Sequence, residues 1–317
     1  MNITVLDGFG LNPGDLSWDA FKDMGNLTVY DRTSPELVLE RAKESEILLT
    51  NKTVLDAETI SRLPRLRYIG VLATGYNVVD IDAARKRGVV VTNIPSYSTM
   101  SVAQRVFSLL LAVTDRTEHY AVANKEGVWA TSKDFCWWDT QLTELTGKNF
   151  GIIGYGNIGK AVSNIAQAFG MNVLLHTSKP ESGLPEGMKK VDLASLFKES
   201  DVISLHCPLT PETSHMINST TIGEMKSGVI LINTGRGPLV DEGAVAEALN
   251  SGKIRAYCAD VLSTEPPSGG NQLLNISNTY ITPHIAWATL EARTRLMDLA
   301  VNNLRHFLEG TPVNVVC

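Results

Sequence analysis

The stretch "KNFGIIGYGNIGKAVSNIAQA", Lys148 to Ala168, constrains the fold more than any other part of the chain. It reads as an apolar strand, a turn with glycines at 154, 156 and 159, and a helix with alanine and isoleucine at helical spacing. Gly154 permits the tight turn, Gly156 lets backbone N–H groups approach a pyrophosphate, and Gly159 lets helix and strand pack closely. The pattern G-x-G-x-x-G alone is often only a turn. In this strand–turn–helix setting it points to a dinucleotide, with S-adenosylmethionine or a structural turn as alternatives. Tyr155, Asn157 and Ile158 complete the candidate cofactor residues of the turn.

Short β-rich runs alternate with helical patterns on both sides of this stretch, the signature of parallel sheets with crossover helices. The first set is "NITVLD", "NLTVYD", "SEILLT", "RYIGVL" and "VVVTNI", closed by Pro95. A long helix is expected from Ser101 to Asp115, followed by a segment through "DFCWWDTQ" without strand signal. The second set opens at "KNFGII" and continues with "NVLLH", "DVISLH", "VILINT", "RAYCADV" and "NTYITPH". Six strands separated by helices make a complete dinucleotide-binding sheet. A last helix, Leu290 to Leu308, leads to "GTPVNVVC", expected to return to the first domain and make it discontinuous. The fold class is therefore α/β, with two doubly wound parallel-sheet domains, one flavodoxin-like and one Rossmann.

A length of 317 residues suits two domains at about 150 residues each. The net charge of −6 argues against nucleic acid as the main partner, so an anionic substrate must meet local positive charge. The opening "MNITVLDGFG" has no signal-peptide pattern and "FSLLLAV" is too short to span a bilayer, so no membrane association and a cytoplasmic location are expected. The four cysteines form no C-x-x-C pair, and no H-E-x-x-H is present, so neither disulfides nor a metal site is expected.

In a doubly wound sheet the ligand sits beyond the carboxyl ends of the strands. Three strands on the nicotinamide side end in "NTGRG", "ADVLSTEP" and "TPHIA", which puts Arg236, Glu265 and His284 around one pocket. Singly, each is more often a surface or structural residue. Together they suit hydride transfer to a ketone, whose forming alkoxide needs a proton. His284 is the candidate acid/base, and Glu265 on its other ring nitrogen would fix the tautomer and favour the imidazolium. Arg236 would grip a carboxylate or polarise a carbonyl with its planar fork, its flanking glycines letting backbone pass close to cofactor. The second strand ends in Thr177, Ser178 and Lys179, where an NAD site usually carries an acid, so NADP(H) is expected to be tolerated beside NAD(H). In "LHCPLTPET", read as ending the third strand, His206, Cys207 and Pro208 are placed beside the adenosine. Thr213 of that motif and Thr234 of "NTGRG" complete the cofactor set. "VLATGYN" is either an anion nest or a glycine turn. The aromatics of "DFCWWD" signal packing or a subunit interface.

At these residues the chain resembles the D-isomer-specific 2-hydroxyacid dehydrogenases nearly end to end, with "GYGNIG", "LHCPLTPET", "NTGRG", "DVLSTEP" and "TPHIA" in the family's order. "ATGYN", "SVAQ" and "HIAWAT" are most similar to its glycerate dehydrogenase, or hydroxypyruvate reductase, branch. The resemblance implies a homodimer and a cleft that closes on cofactor and substrate. It implies a substrate-binding domain of residues 1–97 plus 288–317, a dinucleotide-binding domain of residues 98–287, and a dimer arm at 115–145. It assigns Arg236 to the substrate carboxylate and carbonyl, Glu265 to orienting the histidine and His284 to proton transfer. Ala73, Thr74 and Gly75 would hold the carboxylate, Asp260 would face the nicotinamide carboxamide, and Val102 would pack near that ring. Gln104 stands where many members have glutamate.

The reading is reversible reduction of a short 2-keto acid, hydroxypyruvate or glyoxylate, to D-glycerate or glycolate by NAD(P)H. Formate dehydrogenase is a nearby rival, disfavoured by Glu265 because that enzyme's histidine pairs with glutamine. A nucleotide-sensing scaffold resembling the C-terminal-binding corepressors is the rival of another class, disfavoured by the lack of a basic or disordered extension, and turnover separates the two directly.

Overall fold

Apolar runs that are buried on both faces need helices above and below, and this chain builds two such sandwiches. A computed structural model describes residues 1–317. The chain divides into one unit of 1–98 with 287–317 and a second of 99–286. The sequence puts Ser98 and Trp287 with the longer unit. Both belong to the shorter one, where Trp287 meets Tyr97 edge to face.

The shorter unit has five parallel strands, β1 (Asn2–Val5), β2 (Asn26–Val29), β3 (Ile47–Thr50), β4 (Tyr68–Val71) and β5 (Val90–Thr92), in the order β2-β1-β3-β4-β5. Alternate residues of the buried strands feed opposite cores. Ile47 and Leu49 pack with Ala292, Leu296 and Leu304 of the last helix on one face, while Leu48 packs with Ile60 and Leu63 on the other. That last helix spans Leu290–Leu308, with the Thr289 hydroxyl accepting the Ala292 N–H at its start and Arg305 and His306 in its final turn. The tail pairs with β5 through Val316 N–H to Val91 O at 2.8 Å. Buried Arg293 locks the helix start to the 9–16 loop, with Nη1 and Nη2 on Asp15 at 2.7 and 2.6 Å and Nη1 also on Leu11 O.

The longer unit has seven parallel strands rather than six. They are β6 (Asn149–Ile153), β7 (Asn172–His176), β8 (Met188–Lys190), β9 (Val202–Leu205), β10 (Val229–Asn233), β11 (Ile254–Ala259) and β12 (Thr279–Ile281). Their order is β12-β11-β10-β9-β6-β7-β8. The unforeseen strand is β8, whose polar "MKK" carries no hydrophobic signal and which is ordered by pairing with Val173–Leu175 at the sheet edge. "DVISLH" is thereby the fourth strand of this unit, not the third, and it lies across the switch point from β6. The helix Thr99–Thr114 covers one face, its Phe107 stacking between Phe150 and Phe169 at 5.9 and 5.4 Å. After it, a helix Thr117–Lys125 is tied to the following segment by His119 on Asp139 and Tyr120 on Thr140. No helix is long and apolar enough to cross a membrane.

Candidate active site

Between β6 and the helix Asn157–Ala168, the three glycines have three distinct surroundings. Gly154 has φ +97°, and a Cβ there would lie 2.5 Å from Cys207 N. A Cβ on Gly159 would lie 2.2 Å from Gly154 O, so turn and helix are in backbone contact. Gly156 meets nothing within 4 Å and offers no side chain to cap the helix, leaving N–H groups for an anion. Tyr155 is buried beneath the turn, and Lys179 and Lys160 approach its ring at 5.5 and 5.9 Å. Ile158 packs against the core beside it. At the end of β7, Thr177 Oγ1 accepts the Lys179 N–H at 3.2 Å, and Lys190 Nζ donates to Lys179 O at 2.5 Å. Lys190 was not foreseen, because β8 was not.

His206 and Cys207 flank the glycine turn across the switch point, with His206 N–H donating to Ile153 O at 2.7 Å. Thr213 Oγ1 donates to Pro208 O at 2.7 Å and closes that loop. Cys207 is packed against Met216, and burial pushes its thiol pKa up, which fits a packed side chain rather than a nucleophile. Burial holds the His206 imidazole at a pKa of about 4. Below about 6.5 the unfolded chain takes up a proton that the folded chain refuses, so stability present at neutral pH is lost as pH falls from 6.5 toward 4, by about 3 kcal/mol. His206→Gln should therefore lose less Tm than the parent between pH 7 and 4.5. Equal losses would remove His206 from the acid response.

β10, β11 and β12 lie side by side and end at the same sheet edge. The structure brings Glu265 and His284 together, with Oε2 and Nδ1 2.6 Å apart, both about one third exposed. Glu265 Oε1 accepts the Leu262 N–H at 3.0 Å, so the carboxylate is itself anchored. His284 has φ +52°, a left-handed conformation that costs a non-glycine residue of order 1 kcal/mol and must be held by its neighbours. Asp260, 1% exposed, does part of that holding. Its Oδ1 accepts the Thr282 hydroxyl and Ile285 N–H at 2.5 and 3.0 Å, and its Oδ2 the Ala286 N–H at 2.8 Å.

Arg236 is exposed, and its Nη1 donates to Gly235 O at 2.7 Å; it makes no ion pair within the chain. Gly237 is required by packing within the protein. It packs on the neighbouring loop, where its Cβ would lie 2.0 Å from the carbonyl carbon of Leu262. Gly237→Ala should therefore push the arginine loop off the glutamate loop, lowering Tm by roughly 5 °C and kcat/KM beyond what that loss explains. Unchanged kcat/KM would mean that this contact does not set the site. Glu242, also unforeseen, braces the same loop by accepting the Ser263 N–H and the Asn271 amide. Val102 is buried in the first turn of the Thr99 helix, and Gln104 beside it is exposed.

A bound dinucleotide fits these residues. Thr234 Oγ1 is buried at the end of β10 with no hydrogen-bond partner, an orphan that a ligand group would satisfy, and the Gly156 turn is open. In the shorter unit, the 73–75 loop after β4 is fixed by Thr74 Oγ1 to Ile94 O and Asn93 Nδ2 to Thr74 O, both 2.8 Å, and by Ile94 N–H to Ala73 O at 3.0 Å. The N–H groups of Thr74 and Gly75 make no bond within the chain.

A parallel sheet with an open glycine turn at its switch point, and strand ends carrying a guanidinium and a histidine–carboxylate pair, defines a nucleotide-dependent dehydrogenase. Residues 107–286 match the family described as D-isomer specific 2-hydroxyacid dehydrogenase, NAD binding domain. The chain is 50% identical to a hydroxypyruvate reductase of Blautia hydrogenotrophica, over 100% of this chain and 99% of that protein. It is 42% identical to a glycerate dehydrogenase of Methylorubrum extorquens, over 90% of each. Among solved structures, the TT0316 protein of Thermus thermophilus superposes with a TM-score of 0.87 at 36% identity, covering 100% of both chains. The chain belongs to the D-isomer-specific 2-hydroxyacid dehydrogenases. It is a pyridine-nucleotide-dependent oxidoreductase acting on a CH–OH group, interconverting 2-keto and 2-hydroxy acids.

Proposed function

We propose that this dehydrogenase reduces hydroxypyruvate to D-glycerate, and glyoxylate to glycolate. The observation that carries the reading is a division of labour at one sheet edge: His284 has a carboxylate partner at 2.6 Å, whereas Arg236 has none. Arg236 is thus available to pair with the carboxylate of a keto acid and to polarise its carbonyl. Glu265, anchored on Leu262 N–H, accepts the Nδ1 proton and aims Nε2, from which His284 gives a proton to the carbonyl oxygen. In the shorter unit, Ala73, Thr74 and Gly75 form an anion nest, the N–H groups of Thr74 and Gly75 making no bond within the chain. NAD(P)H, when bound, supplies the hydride. Gly154, Gly156 and Gly159 with Tyr155, Asn157 and Ile158 hold its pyrophosphate. His206, Cys207, Pro208 and Thr213 border the nucleotide, Thr234 offers its orphan hydroxyl, and Val102 packs near the nicotinamide. The names of the 50% and 42% identical relatives support the substrates.

NADP(H) is accepted in this reading, because Thr177, Ser178 and Lys179 offer donors and no acid where the ribose 2′-oxygen would lie. Initial rates with hydroxypyruvate, glyoxylate, pyruvate and a bulky keto acid, each with NADH and NADPH, test both statements. Hydroxypyruvate should be fastest, and NADPH at least as good as NADH. Lys179→Ala should weaken NADPH binding about tenfold and leave NADH unchanged. Equal losses for both would remove Lys179 from 2′-phosphate recognition, and no turnover of any keto acid would overturn the reading.

A homodimer is part of the same proposal. The 117–142 segment exposes Trp129, Trp138, Leu142 and Phe135, the last 91% exposed, and large aromatic side chains of this kind are enriched at subunit interfaces.

A further inference from the structure

The chain passes between its two units only at Ser98–Thr99 and Ala286–Trp287, and His284 lies two residues before the second passage. Any change in the relation of the units has to be absorbed by backbone torsions at these few residues. A proton donor so close to a passage is exposed to that movement unless something separates the two.

On the side of the longer unit, Ala286 is held by both of its backbone groups. Its N–H donates to Asp260 Oδ2 at 2.8 Å, and its carbonyl accepts the Ser101 hydroxyl at 2.5 Å. Ser101 is 7% exposed in the first turn of the Thr99–Thr114 helix, which itself begins at the other passage. One hydroxyl therefore ties the two passages to each other. Asp260 also binds Thr282 and Ile285, so the residues on both sides of His284 are fixed. On the side of the shorter unit, Tyr97 from one passage meets Trp287 from the other at 6.4 Å between ring centroids, and Arg295 Nε donates to Tyr97 O at 2.9 Å. The residues on either side of each passage are thus held within their own unit.

We propose that Ser101 is a positioning residue: its hydrogen bond to the Ala286 carbonyl completes a clamp that holds the histidine-bearing loop to the longer unit and keeps movement at the passages from reaching His284. Without it, the 284–286 backbone is the softest point of the path, because His284 already sits in a left-handed conformation and relaxes when its support loosens. The kinetic consequence rests on His284 as the proton donor; the mechanical one does not. A displacement of about 1 Å in a reacting group costs up to 100-fold in rate.

The test uses the full-length protein with Ser101→Ala and Ser101→Thr, followed by hydrogen exchange over residues 282–287 and by steady-state kinetics. Ser101→Ala should speed exchange of the Ile285 and Ala286 amides at least tenfold and lower kcat about tenfold, with KM for the keto acid and Kd for NADH within about twofold of the parent. Ser101→Thr, which keeps the hydroxyl, should recover both. Unchanged exchange at 285 and 286 in Ser101→Ala overturns the clamp, and faster exchange with parental kcat overturns Ser101 as a positioning residue for turnover. His284→Gln is measured in parallel: parental turnover there removes the histidine's role as donor, while the exchange data still decide the clamp.

Discussion

Replacing His284 by glutamine is expected to lower kcat for keto-acid reduction by about 10²–10⁴-fold, the usual range for losing a positioned general acid. Glutamine keeps a hydrogen-bonding group opposite Glu265 but has no proton to give near neutral pH. The nucleotide turn around Gly156 is built from β6 and the helix after it and owes nothing to this side chain, so Kd for NADH should stay near the parent's. His284→Asn is a useful second variant, because asparagine tolerates the left-handed backbone that His284 adopts at φ +52°. If both variants lose kcat alike, the cause is the missing proton rather than backbone strain. A fall of less than tenfold across the pH range would mean that the proton comes from elsewhere.

The second large effect concerns Arg236. Arg236→Ala should lower kcat/KM by roughly 30-fold or more, since truncating one partner of a charge pair costs about 2–5 kcal/mol. Arg236→Lys should fall between, with most of its loss in KM, because an ammonium cannot present the planar fork that matches a carboxylate. Within the chain the guanidinium reaches only Gly235 O and is exposed, so its removal should leave Tm nearly unchanged. That contrast separates a binding role from a structural one. Near-parental kcat/KM in the lysine variant would take the arginine out of substrate capture.

Each of these residues follows a strand, and parallel strands joined by helices necessarily end on the same side of the sheet. For that reason the sequence places Arg236, Glu265 and His284 after strands that end on one side of the sheet, and the structure pairs Glu265 with His284 at 2.6 Å. The glycine turn was legible too, because its residues are local and each glycine answers a local backbone demand. The final helix is read in the sequence from Leu290 to Leu308, and the structure gives the same limits, with Thr289 at its start and Arg305 and His306 in its last turn. By contrast, "MKK" becomes a strand only because β7 offers it a ladder, and the reading of six strands followed from missing it.

The amino-acid sequence by itself determined the chemical groups on offer, the alternation that makes two parallel sheets, and the sheet edge at which those groups emerge. All three follow from periodicity and turn chemistry acting over a few residues. The tertiary structure alone decided that Gly237 packs on Leu262, that Asp260 braces the 282–286 loop, and that Ser101 reaches Ala286, 185 residues away. Contacts of that kind depend on the lateral order of strands and the path of their loops, and no pattern within a few residues of Ser101 or Gly237 carries that information.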